Sequence, residues 1–124
     1  MTGDTVKMLS NGSIYKIRLN GLDCPELAQA YGIEAREFTK SLLLGKEVKA
    51  VRRDRDKYGR LVCDLYLNGN YINEEIVSMG YAYVYPQYST EKMYLDELQA
   101  KAAKLGLWAS NSVSPYSFRK AHRK

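Results

Sequence analysis

At 124 residues the chain is long enough for one domain built on a single core. Nineteen Lys and Arg against fourteen Asp and Glu leave a formal charge of +5, with an isoelectric point near 9.2. That balance favours anionic partners such as nucleic acid. Two cysteines and one histidine give neither a disulfide framework nor a zinc-type ligand set. No apolar run approaches the length of a membrane span, so no membrane partner is expected.

Residues 5–9 read as a strand, and Asn11-Gly12 is the turn that sends the chain back into a second one over residues 14–19. There Tyr15, Ile17 and Leu19 alternate with Lys16 and Arg18. Gly21 and Pro25 break this strand and place Asp23 and Glu26 on a turn at its end. Pro25 also biases Cys24 towards an extended backbone, which can aim its carbonyl outward. Tyr31, Ala35, Phe38 and Leu42 recur at helical spacing, with Gly45 as the stop. Residues 47–52 and 61–67 read as strands, with Cys63 a small core residue of the second. A short helix over residues 72–79 ends at Gly80, and residues 81–85 are extended. Tyr94, Leu98, Ala102 and Leu105 mark a last helix, capped near Ser89 or Thr90 and stopped by Gly106. Residues 1–108 form the expected domain. Residues 109–124 read as a tail containing Ser and Pro and ending in Arg119, Lys120, Arg123 and Lys124. Early strands with interspersed helices predict an α+β fold.

Two clusters carry chemistry. Residues 18–26 hold Arg18, Asp23 and Glu26 at one strand end, a set suited to a cation, a phosphate and a water. The same residues would also make an ordinary polar loop, and the stretch alone leaves both readings open. Residues 52–60 place five basic and two acidic side chains in nine positions, which by composition is a solvated turn. Asp56-Lys57-Tyr58-Gly59-Arg60 downstream of Asp23-Cys24-Pro25-Glu26, however, resembles the staphylococcal nuclease (thermonuclease) family. Further matches follow in family order: Gly3-Asp4-Thr5-Val6-Lys7, Tyr31-Gly32, Glu34-Ala35, Phe38-Thr39, Val84-Tyr85 and Gly106-Leu107-Trp108. Any one motif is weak; the ordered set covers nearly the whole chain.

The resemblance implies a five-stranded Greek-key barrel of the OB type with three α-helices. It also implies a strand before Asp4, of which only Met1-Thr2-Gly3 is present, so four convincing barrel strands stand where five are expected. The implied activity is calcium-dependent cleavage of DNA and RNA at the P–O5′ bond with little sequence selectivity. A non-catalytic nucleic-acid-binding module is the rival reading. Asp4, Asp23 and the carbonyl of Cys24, where relatives commonly carry Thr, would hold the calcium ion. Glu26 would be the general base, with Arg18 and Arg60 clamping the phosphate. Lys57, Tyr58, Tyr83 and Tyr85 match positions that hold the nucleotide. Tyrosines in such strands also serve as plain packing, so stacking roles for Tyr83 and Tyr85 remain one of two readings. Glu34 is expected to be a helix-surface carboxylate. The loop between Glu26 and Tyr31 is shorter than in the secreted staphylococcal enzyme and lacks its lysines, so polynucleotide contacts there are expected to be weaker. A monomer with no dedicated protein-interaction surface is expected, and bacterial relatives are frequently secreted or attached to the envelope.

Overall fold

The computed structural model describes residues 2–85, 89–109 and 113–122. Arg123 and Lys124 of the expected basic tail lie outside the described residues. In chain order the elements are β1 (Thr5–Ser10), β2 (Ser13–Leu19), β3 (Leu22–Asp23), α1 (Gly32–Leu43), β4 (Lys49–Arg55), β5 (Leu61–Leu67), β6 (Asn70–Tyr71), α2 (Ile72–Ser78), β7 (Tyr83–Val84), α3 (Glu91–Ala102), a 3-10 turn over Gly106–Ala109 and α4 (Pro115–Ala121). The α+β class follows directly.

The main sheet runs β1-β2-β5-β4, with β6 on β5; β2 and β5 pair in parallel and the other ladders are antiparallel. A two-residue turn closes the first hairpin at Asn11 (φ 50) and Gly12 (φ 80), with Ser10 paired to Ser13. Two successive left-handed residues suit the right-handed twist of the flanking strands, which is why Asn-Gly occurs here. Residues 47 and 48 precede β4 instead of opening it, and a bulge between Arg52 and Asp54 lets the strand run on to Arg55.

Three expectations change. Asp23 lies not on a turn but on β3, whose pairing with β7 sets Asp23 opposite Tyr83. Four α-helices occur among the described residues where three were expected, because Ser114 caps α4 by accepting from the Ser117 N–H and Pro115 opens it. In α3, Tyr94 and Leu98 are exposed, and the buried residues are Met93, Asp96, Glu97 and Ala100. The stripe shifts because Glu97 accepts a hydrogen bond from the Val84 N–H at 2.6 Å, so this face serves a backbone donor as well as the core.

The core gathers Ile17 and Leu19 of β2, Cys63 and Leu65 of β5, Ala35 of α1, Ile72, Ile76 and Val77 of α2, and Met93 of α3. Asn73 is fully buried within it. Its amide donates to the carbonyls of Asn20 (2.9 Å) and Cys63 (3.1 Å) and accepts from the Leu65 N–H (3.0 Å). A buried amide is tolerated only when so satisfied, and here it ties the end of β2 to β5, directly behind the residues that follow Arg18.

Candidate active site

The ends of β2 and β3 and the segment before β1 bring Asp4, Arg18, Asp23, Cys24 and Glu26 together. Asp4 is buried, with 5% of its surface exposed. One carboxylate oxygen accepts from the hydroxyls of Thr2 and Thr5, the other from the Cys24 N–H at 3.0 Å. Its place is set by backbone packing: the Leu19 N–H donates to the Asp4 carbonyl (2.8 Å), and the Thr39 hydroxyl of α1 donates to the Gly3 carbonyl (2.7 Å). A Cβ on Gly3 would lie 2.8 Å from the backbone of Ala35, so only glycine lets this segment lie against α1.

Arg18 extends from β2 across the carboxylates. Nη1 lies 3.3 Å from Asp4 Oδ2 and Nη2 lies 3.8 Å from Asp23 Oδ1. Nη1 is buried and finds no aligned acceptor among the described residues, which leaves a costly donor unfilled. The same guanidinium sits 5.8 Å from the Tyr85 ring centroid, and the Tyr85 hydroxyl donates to Asp23 Oδ2 at 3.1 Å. Burial, and then the neighbouring Asp23 charge, push the Tyr85 hydroxyl above its usual pKa. Burial also raises the Asp23 carboxyl; the hydrogen bond from Arg119 opposes this and the charge of Asp4 adds to it.

Glu26 stands beside Asp23 at the mouth of the site. Its N–H donates to the Gln29 side chain at 3.1 Å, and α1 begins against its carbonyl. A Cβ on Gly32 would fall 1.9 Å from the Glu26 carbonyl oxygen, so the helix can reach this loop only with glycine there. Cys24 is wholly buried and its thiol is pushed well above its ordinary value by burial. The sulfur is therefore shielded and weakly reactive.

Arg60 lies one hydroxyl away from this group: its Nη1 donates to Thr5 Oγ1 at 3.3 Å, and Thr5 in turn donates to Asp4. Its Nε and N–H both bond Asp56, at 2.6 and 2.9 Å. Lys57 and Tyr58 occupy the exposed turn before it, with the Lys57 ammonium and the Arg60 guanidinium 5.2 and 5.7 Å from the Tyr58 ring. Tyr83 is the outlier of the expected set. Its ring meets Trp108 edge-on at 4.6 Å, which gives it a packing partner inside the fold. Glu34 is exposed on α1, as a helix-surface carboxylate should be.

One residue at the site carried no signal in the sequence. Arg119 of α4 donates from Nη2 to Asp23 Oδ2 (3.0 Å) and from Nη1 to Glu26 Oε1 (2.7 Å) and Asp23 Oδ1 (3.3 Å). These contacts raise its pKa further, the Asp23 hydrogen bond most. The Ser114-Pro115 pair is a helix-start signal that could have revealed α4. Nothing local in the sequence ties position 119 to positions 23 and 26.

A profile of the family described as staphylococcal nuclease homologue matches residues 16–110. The chain belongs to this family. Proteins of Escherichia coli O157:H7 and Haemophilus influenzae, each described as an uncharacterized endonuclease, are 38% and 35% identical to it. The first alignment covers 100% of this chain and 82% of the relative, the second 98% and 70%. A rice protein (Oryza sativa subsp. japonica) described as a "probable staphylococcal-like nuclease" is 40% identical over 88% of the chain, and the chain spans 29% of that protein's length.

The donors suit a hard divalent cation in kind: two buried carboxylates, both within 4 Å of the same guanidinium. No cluster of three or more His, Cys, Asp or Glu side chains able to hold a metal occurs among the described residues. The oxygens that could hold such an ion are those of Asp4, Asp23 and the Cys24 carbonyl, with the remaining positions left to water and phosphate oxygens.

Proposed function

We propose that the chain is a calcium-dependent nuclease that hydrolyses DNA and RNA at the P–O5′ bond, leaving 3′-phosphate ends, on an OB-type barrel scaffold acting as a monomer. The carrying observation is the approach of Asp4 and Asp23 to Arg18, with Glu26 joined to Asp23 through Arg119, in a chain of the staphylococcal nuclease family. A phosphodiester resists attack because its charge repels nucleophiles and more charge gathers in the transition state. Bound calcium would neutralise phosphoryl oxygens and polarise a water. Arg18, with its unfilled buried donor, supplies a fixed positive charge to the same oxygens. Glu26, half-exposed at the mouth, would take the water's proton as its oxygen attacks phosphorus. Arg60 reaches Asp4 through the Thr5 hydroxyl, and Asp56 holds its fork in one orientation. The 5′ oxygen leaves and acquires a proton from solvent. Lys57 and Tyr58, exposed next to Arg60, would meet the nucleotide's phosphate and base, and Tyr85 would form the floor under Arg18. Tyr83 would add a stacking face to this surface if the Trp108 contact yields.

The test is Glu26→Gln, which keeps size and hydrogen bonding but cannot accept the proton. Turnover should fall by roughly 10²–10⁴-fold, measured on single- and double-stranded DNA with calcium and with chelator, while nucleic-acid affinity holds. A wild-type protein that binds DNA equally well with calcium or chelator, and never cuts it, would support the binding-module reading instead.

A further inference from the structure

α4 is short, and its anchors to the domain are mainly polar. The Gln29 side chain donates to the Val113 carbonyl, Pro115 is buried, and Arg119 pairs with Asp23 and Glu26. Phe118 stacks instead on His122 of the same segment, at 4.1 Å between centroids. The helix thus spends its strongest contact, a forked guanidinium, on the two carboxylates that hydrolysis requires. An Asp23 that accepts from Arg119 through both oxygens has those oxygens engaged, and the Glu26 oxygen bonded to the same guanidinium is not free to accept from a water. The charges agree with this. Asp4, Asp23 and Glu26 against Arg18 and Arg119 leave one net negative charge. Withdrawing Arg119 leaves two, the charge a divalent cation neutralises.

Resting on the nuclease reading above, we propose that Arg119 is a built-in competitor for the cation position. On this view α4 is an autoinhibitory latch that calcium must displace before Asp23 can ligate and Glu26 can act. Ligand and latch then exclude each other, so each weakens the other by the same factor. In the latched state the site is closed at low calcium, which limits cleavage where the ion is scarce.

The test uses the full chain as wild type, Arg119→Ala, Arg119→Lys and Lys120→Ala, the last an exposed cation on the same helix. Calcium affinity is read by calorimetry without substrate. Removing a charge-assisted forked contact should tighten binding by on the order of ten- to a hundredfold in Arg119→Ala. Arg119→Lys, which keeps the charge but loses the fork, should fall between this and wild type, and Lys120→Ala should match wild type. Removing a positive charge could tighten calcium without any latch, so hydrogen exchange of the α4 amides is the second readout. In wild type, saturating calcium should speed it severalfold; in Arg119→Ala it should be fast already and insensitive to calcium. Unchanged α4 exchange on calcium binding overturns the latch, and so does wild-type calcium affinity in Arg119→Ala. If wild type binds calcium and cuts DNA under those outcomes, the nuclease reading stands without the latch. If neither wild type nor Arg119→Ala binds calcium, both fall.

Discussion

Asp56 shows how one side chain can set another. Its Oδ1 accepts from the N–H groups of Tyr58 and Arg60, both at 2.9 Å, and its Oδ2 from Arg60 Nε. Partial burial works against its charge, but these hydrogen bonds outweigh it and hold the carboxyl below the ordinary value of 3.8. The folded value is thus lower than the unfolded one, and folding favours the ionised form. That contribution is complete above 3.8 and is lost as pH falls through the folded value. Asp56→Asn should cost about 1 kcal/mol near neutral pH, where the charge-assisted bonds are weakened. The gap to wild type should close in acid, once both side chains are neutral. Urea midpoints across an acid series decide it, and a gap independent of pH would show that Asp56 acts through shape alone. Asp56 and Arg60 stand only four positions apart, so spacing alone puts them within reach of each other. Arg18 and Asp23, five positions apart, were legible as neighbours for the same reason. Arg119 was not, because it reaches Asp23 from 96 positions away and only packing brings it there.

At the scale of elements, the strand over 61–67 was legible to the residue because its apolar run is bounded by Gly59 and Asn68-Gly69. The buried face of α3 was not, because Glu97 takes a buried place that a periodicity of apolar residues cannot foresee. Close backbone approaches were equally hidden: Gly32 read as one letter of a motif, whereas its role is steric. Gly32→Ala would drive a methyl into the Glu26 carbonyl, 1.9 Å from the ideal Cβ position. The start of α1 and the Glu26 loop must then separate. Overpacking of this kind costs roughly 1–3 kcal/mol, and a base misplaced by about 1 Å can lose on the order of 10²-fold in rate. Calorimetric Tm should fall and kcat should fall with it, while calcium affinity, which the nuclease proposal assigns to Asp4 and Asp23, changes less. An intact kcat in a destabilised variant would mean that α1 does not position Glu26.

For the molecule as a whole, the formal charge of +5 carries little information until it is placed. Arg18, Arg53 and Arg60 are committed to carboxylates, and Arg119 to two of them. Arg52, Arg55 and Lys57, in contrast, are exposed in succession along β4 and the turn that leads to Arg60. A polyanion lying across that turn would reach Arg60 and then the carboxylates, so on the nuclease proposal these three cations would form the approach to the site. Cations that meet phosphates release condensed counterions, and binding then weakens with salt in proportion to their number. Replacing Arg52, Arg55 and Lys57 together by Gln should lower the slope of log affinity against log salt by about two to three. The measurement belongs in the Glu26→Gln background with chelator, where DNA stays intact and calcium adds no charge. Stability should hardly change, since exposed side chains outside ion-pair networks contribute within about 0.5 kcal/mol. An unchanged salt slope would place the nucleic-acid path elsewhere on the surface and remove Lys57 and Tyr58 from the substrate contacts.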